Sequence, residues 1–171
     1  MAATSLFICH ARPDAAFAED LAVALETCHL NVWRDTRNRR GGDQLALEVR
    51  WAIEQARQVI VVLSLNTGEA ASWMRREIEL AQEMERRRTG TYRVIPLLLP
   101  GVDSTLLDSW FTPPPQTPPI QLPADGLGAA LPALLAALNE PPPGDMTTEH
   151  GSPSLAELEL TVDRASAAPP V

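Results

Sequence analysis

From Leu6 to about Leu138 the chain alternates short apolar runs with stretches whose apolar residues recur every three to four positions. That alternation predicts an α/β fold, a parallel sheet with helices on both faces. Leu6 to Cys9 reads as the first strand. Pro13 and Asp14 then open a helix that sets Phe17, Leu21, Leu25 and Cys28 at helical spacing. A second strand spans Leu30 to Trp33. A polar, arginine-rich loop runs from Asp35 through Gly41 and Gly42, and Asp43 is a good N-cap for a helix carrying Leu45, Val49, Ile53 and Ala56 on one face. Val59 to Leu63 is apolar without alternation, which suits a central strand covered on both sides. A helix from about Trp73 to Arg88 stops at Gly90, and a fourth strand follows from Tyr92 to Leu99, although Pro96 cannot donate to a ladder. Leu106 to Phe111 forms a short helix, Pro113 to Pro119 an extended spacer, and Ile120 to Leu122 a last strand. The helix expected over Leu127 to Leu138 must hold Pro132 in its first turn or kink there.

From Asn139 the composition shifts to Pro, Ser, Gly and acid, so the chain divides into a folded domain, 1–138, and a linker or disordered tail, 139–171, with a further domain beyond as one alternative. Within the tail Leu158, Leu160 and Val162 alternate with Glu159 and Thr161. That pattern fits the start of another domain, a strand that adds to a partner, or a plain tail.

At 171 residues and 45% hydrophobic, the chain supports one core. No apolar run is long enough to cross a bilayer and the first residues lack the pattern of a signal peptide, so a cytoplasmic location and no membrane partner are expected. Cys9 and Cys28 read as reduced thiols rather than a disulfide framework. A formal charge of -8 argues against nucleic acid as a direct partner. All 14 cations are arginine. The lack of lysine removes a Walker-type phosphate loop, a Schiff base and the lysine of phosphorelay receivers. The histidines, His10, His29 and His150, stand far apart, so no metal site is expected.

In open α/β sheets ligands bind at the carboxyl ends of the strands, where strand order reverses. With the order 2-1-3-4-5, that crevice lies between strands one and three, walled by His10-Ala11-Arg12 and by the loop from Ser64 to Ser72. On the helix that follows, Trp73, Glu77, Leu80 and Met84 fall within one narrow arc, with Met74, Ile78 and Ala81 beside it. Glu79 and Glu83 point away, and Glu83 can pair with Arg87 one turn on. A carboxylate inside an apolar stripe beside a ligand crevice is a candidate functional acid. The alternative is a residue that caps its own helix or pairs with Arg12 or Arg76, and the pattern alone favours that reading.

Several segments, in order and spacing, carry a family resemblance: Phe7-Ile8-Cys9-His10 followed by Asp14, Val32-Trp33-Arg34-Asp35, Gly42-Asp43-Gln44-Leu45, Ala52-Ile53-Glu54-Gln55-Ala56-Arg57, Val61-Val62-Leu63-Ser64 and Ser72-Trp73-Met74-Arg75-Arg76-Glu77. Together they resemble the bacterial TIR (Toll/interleukin-1 receptor-like) domains over most of Ser5 to Leu138. The chain departs from the usual family pattern at Gly41-Gly42-Asp43, where Pro-Gly-Asp is common, and at Cys9-His10, where Ser-Tyr or Ser-His is common.

The resemblance implies a flavodoxin-like three-layer fold with a parallel five-stranded sheet. It also implies cleavage of NAD+ at the nicotinamide-ribose bond, giving ADP-ribose or a cyclic isomer. Glu77 stands on the essential acid of the W-x-x-x-E pattern, NAD+ is the substrate, and no separate cofactor is needed. Substrate contacts are then expected from His10, Ala11, Arg12, Trp33, Asp35, Ser64 and Trp73. For Trp33 stacking on a base and packing in the fold stay equally open, and Trp73 fits packing at the helix start. Self-assembly with other TIR domains is expected through Arg39, Gly41, Gly42 and Asp43, gathered by a sensor domain or partner protein in an antiphage effector. The competing expectation is a non-catalytic TIR-TIR adaptor or host-mimicking virulence module.

Overall fold

The computed structural model describes residues 5–33, 47–67 and 72–138. The elements are β1 (Ser5–Cys9), a 3-10 turn (Arg12–Asp14), α1 (Ala15–Thr27), β2 (Asn31–Trp33), α2 (Leu47–Gln55), β3 (Gln58–Leu63), α3 (Ser72–Arg87), β4 (Arg93–Leu98), α4 (Ser104–Trp110), β5 (Ile120–Gln121) and α5 (Leu127–Ala137). All pairings are parallel and the sheet order is β2-β1-β3-β4-β5. The fold class and strand order are those expected from the sequence. The loop residues Asp35, Arg39, Gly41, Gly42 and Asp43, and the tail 139–171, lie outside the described residues.

Strand alternation sorts the core into two layers. Phe7 and Cys9 of β1, with Val59, Val61 and Leu63 of β3, face the side built by α2, α3 and α4 through Val49, Ile53, Met74, Ile78 and Trp110. Leu6, Ile60, Val62, Ile95 and Leu97 face the other side, where α1 brings Leu21 and Leu25 and α5 brings Leu134 and Leu135. Every residue of β3 is buried, as its apolar run requires. Among the described residues no helix is long and apolar enough to cross a membrane.

Pro96 is accommodated by ladder geometry. The Leu99 N–H bonds the Leu63 carbonyl and the Arg93 N–H bonds that of Arg57. Odd positions of β4 therefore donate toward β3 and even ones toward β5. Pro96 turns its missing donor to the β5 side, where pairing begins only at Leu97. Val94 faces the same way one step earlier, and its N–H donates instead to Oε1 of Glu85, 3.0 Å away. Glu85 on α3 thus finishes the sheet where β5 is too short to reach.

Burial raises Glu85 above the ordinary carboxylate range, opposed in part by backbone donors at Val94 and Gln116. The stability linked to this group is therefore fully present below its unfolded value, near 4.5, and is lost as pH rises through the higher folded one. Glu85→Gln keeps an acceptor for Val94 and removes the charge. In denaturant unfolding the variant should gain on wild type between about pH 4.5 and pH 7. A difference that stays flat over that range refutes the assignment.

Pro132 is the sixth residue of α5, past the first turn, and the helix continues through it. Proline there removes one intrahelical donor. Burial of Ala130, Leu134, Leu135 and Leu138 holds the segment against the sheet on both sides of the missing bond. Side chains on β3 and β4 pin its end, with Gln58 Nε2 donating to the Leu138 carbonyl at 2.7 Å and Arg93 to that of Ala137 at 2.6 Å.

Candidate functional site

Two periodicities meet at the carboxyl end of β1. Period two sends Cys9 to the α3 side of the sheet, and the helical period sends Glu77 toward β1 on the face of Met74, Ile78 and Ala81. Cys9 Sγ lies 3.1 Å from Glu77 Oε2. A carboxylate only accepts, so the thiol donates. Glu77 is 1% exposed and Cys9 likewise. The acid read from the periodicity is thus a buried carboxylate at the strand-order reversal between β1 and β3.

A second polar group closes the same crevice from the α1 side. Asp14, buried at the end of the 3-10 turn, receives the Ser64 hydroxyl at 2.5 Å on Oδ2 and the Asn66 amide at 3.0 Å on Oδ1. Ser64 Oγ accepts from the Asn66 backbone N–H at 3.0 Å, and the Ser64 N–H donates to Thr67 Oγ1 at 2.8 Å. The loop after β1 is thereby tied to the loop after β3 through two bonds to a carboxylate, the stronger class of hydrogen bond.

Around this pair, His10 is half-buried, with Nδ1 2.8 Å from the Ala11 carbonyl. A carbonyl accepts only, so Nδ1 carries the proton and, in the neutral ring, Nε2 is left as an acceptor. Ala11 is fully buried, and its carbonyl also takes the Asp14 N–H. Its place is in the turn. Arg12 is exposed at the crevice mouth. Trp33 stacks on Phe7 at 5.4 Å between centroids and 26° between planes, so its ring packs in the fold while staying partly exposed. Trp73 is half-buried against the core at the start of α3. Ser64 gives its hydroxyl proton to Asp14. Asp35 and the self-association residues Arg39, Gly41, Gly42 and Asp43 lie outside the described residues.

Sequence reasoning took Asp14 as a helix opener and passed over Asn66 and Thr67. The bond from Asp14 to Ser64 spans 50 positions, and nothing local signals it. Glu85 was also missed, yet it follows Ile78 and Ala81 at helical spacing and was readable on the same stripe. Glu83 points to solvent as expected, held by Arg86 at 2.6 Å and Arg87 at 2.7 Å. Those two hydrogen bonds lower its carboxyl below the usual range. Among the described residues no group of three or more His, Cys, Asp and Glu side chains is placed to hold a metal ion.

The family model of the TIR domain matches residues 6–122. The chain belongs to the TIR domain family. Among solved structures this TIR domain is similar to the TIR domains of the activated Roq1 resistosome directly recognizing the pathogen effector XopQ, at a TM-score of 0.50 and 20% identity over 63% of each chain. It thus spans less than two thirds of that relative. It is also similar to the Clostridium botulinum CMP N-glycosidase BcmB, at a TM-score of 0.48 and 18% identity over 69% of this chain and 88% of that one. No curated protein matches it in sequence. The resistosome likeness establishes the shared fold, and the family match runs from β1 through β5.

Proposed function

We propose that this TIR domain is an NAD+ glycohydrolase or cyclase whose acid is Glu77, working as an assembly-activated effector of bacterial antiphage immunity in the cytoplasm. The observation that carries the reading is the buried Glu77 carboxylate at the strand-order reversal, on the acid position of the W-x-x-x-E pattern. The nicotinamide of NAD+ is a cationic leaving group, so its departure needs no general acid, unlike ordinary glycoside hydrolysis with two carboxylates. The C1′–N bond breaks and its electron pair neutralises the pyridinium. Positive charge grows on the ribose, where Glu77 stabilises it in a low-dielectric setting. Water then gives ADP-ribose and a proton, or a nucleophile within the molecule gives a cyclic isomer. His10, Arg12 and Ser64 flank the crevice that would hold the nucleotide, with Trp33 and Asp35 as further contacts, Arg12 being suited to the pyrophosphate.

At 1% exposure, Glu77 is covered in the single chain. That state suits a resting site opened when a sensor or partner protein gathers several copies. The test is to cluster the protein on a scaffold, add NAD+ and follow nicotinamide, against the same protein kept dispersed. Release only on clustering is expected, and a clustered protein that releases none removes the reading.

One observation supports the self-assembly that this reading shares with the adaptor alternative. Leu47, 83% exposed, and Trp51, 60% exposed, lie one turn apart on α2, which follows the loop proposed for self-association. Apolar side chains so exposed and adjacent suit contact with another TIR domain. Trp51→Arg should raise the concentration needed for self-association about tenfold or more in sedimentation. Unchanged sedimentation removes this face from the assembly. Nicotinamide release by assembled wild type separates the enzyme from the adaptor.

A further inference from the structure

We propose that Cys9 is a positioning residue for Glu77, its thiol holding the carboxylate in the orientation the site uses; the activity half of the inference rests on the NAD+ reading above. Both side chains are 1% exposed, and Sγ stands 3.1 Å from Oε2. The helix period fixes which way the Glu77 stem leaves α3. The outer torsion of a glutamate, between sp³ and sp² carbons, has broad preferences and is left to its hydrogen-bond partners. A donor from β1, the element α3 packs against, is placed to set that torsion. It is also rigid: Cys9 ends a strand held in register on its β3 side, opposite Val61, and its side chain has a single rotatable bond to the sulfur.

The chemistry argues against a nucleophilic thiol. Two groups that share one hydrogen bond while buried leave the proton on sulfur as long as the carboxylate is charged, since a thiolate beside it would set like charges together. Cys9 thus serves as a donor. Serine at the same place donates more strongly but reaches less far, because a C–O bond is shorter than a C–S bond. Alanine donates nothing and leaves room for the carboxylate to turn.

The experiment uses the full chain in a Cys28→Ser background, so that one thiol remains. Infrared spectra read the Cys9 S–H stretch, which falls in frequency when the thiol donates to a charged acceptor. The band should move back up on Glu77→Gln, a change that a merely space-filling thiol would not show. In the clustered NAD+ assay Cys9→Ala should lose about tenfold in kcat with KM within about twofold, and Cys9→Ser should recover most of that loss. An S–H band indifferent to Glu77, or Cys9→Ala with wild-type kcat, overturns the proposal. A clustered wild type that releases no nicotinamide while the band still follows Glu77 removes the NAD+ reading and upholds the Cys9–Glu77 pair.

Discussion

Clustered Glu77→Gln protein is expected to release nicotinamide about 10²- to 10³-fold more slowly than wild type while folding at least as well. Glutamine keeps the volume of the side chain and an acceptor for the Cys9 thiol. It lacks the negative charge that faces the developing cation on the ribose. The separation of activity from stability follows from burial: a carboxylate that is 1% exposed costs folding free energy as an ion, and a neutral amide of the same shape costs less. Glu77→Ala should match the loss in rate but also unfold earlier, since it opens a void beside Met74 and Ile78. Nicotinamide release and thermal unfolding on the same samples make the check. A glutamine variant with the wild-type rate would mean that charge at this position does no chemistry.

Glu77 was legible because its signal is local. A 3.6-residue period over one helix places it in an arc with Trp73, Leu80 and Met84, beside Met74, Ile78 and Ala81. The structure buries Glu77 with the latter three, while Trp73, Leu80 and Met84 are only partly buried. The central place of β3 was legible for a related reason: its uninterrupted apolar run suits a strand covered on both faces. What the sequence withheld depends on pairs distant along the chain. Pro96 counted against β4 until its neighbours showed that its side of the strand has almost no partner. The Cys9 thiol read as a generic buried group, because its acceptor lies 68 positions away. The packing of Trp33 on Phe7 was likewise undecidable without the register that sets the two residues opposite each other.

The same lesson sharpens the prediction for Asp14, which no local pattern marks as more than a helix opener. Asp14→Ala should destabilise the domain by about 3 kcal/mol, two side-chain hydrogen bonds to a carboxylate at roughly 1.5 kcal/mol each, the lower end for such bonds. For a domain of this size that lowers the unfolding midpoint by about 10 °C. The loss is larger than a surface aspartate would give because Ser64 and Thr67 are buried, so the released hydroxyl of Ser64 is left with few places to donate. Asp14→Asn should cost less, since its oxygen still takes the Ser64 hydroxyl, but its amide then faces that of Asn66. The double change Asp14→Ala with Ser64→Ala should cost less than the sum of the single changes by about 1 kcal/mol, the coupling expected of groups in direct contact. Strict additivity in denaturant unfolding would show that the two loops are not tied through this bond. If they are, the variants that keep their fold should also raise KM for NAD+ more than they lower kcat, because the tie shapes the crevice walls and leaves Glu77 and Cys9 in place on α3 and β1.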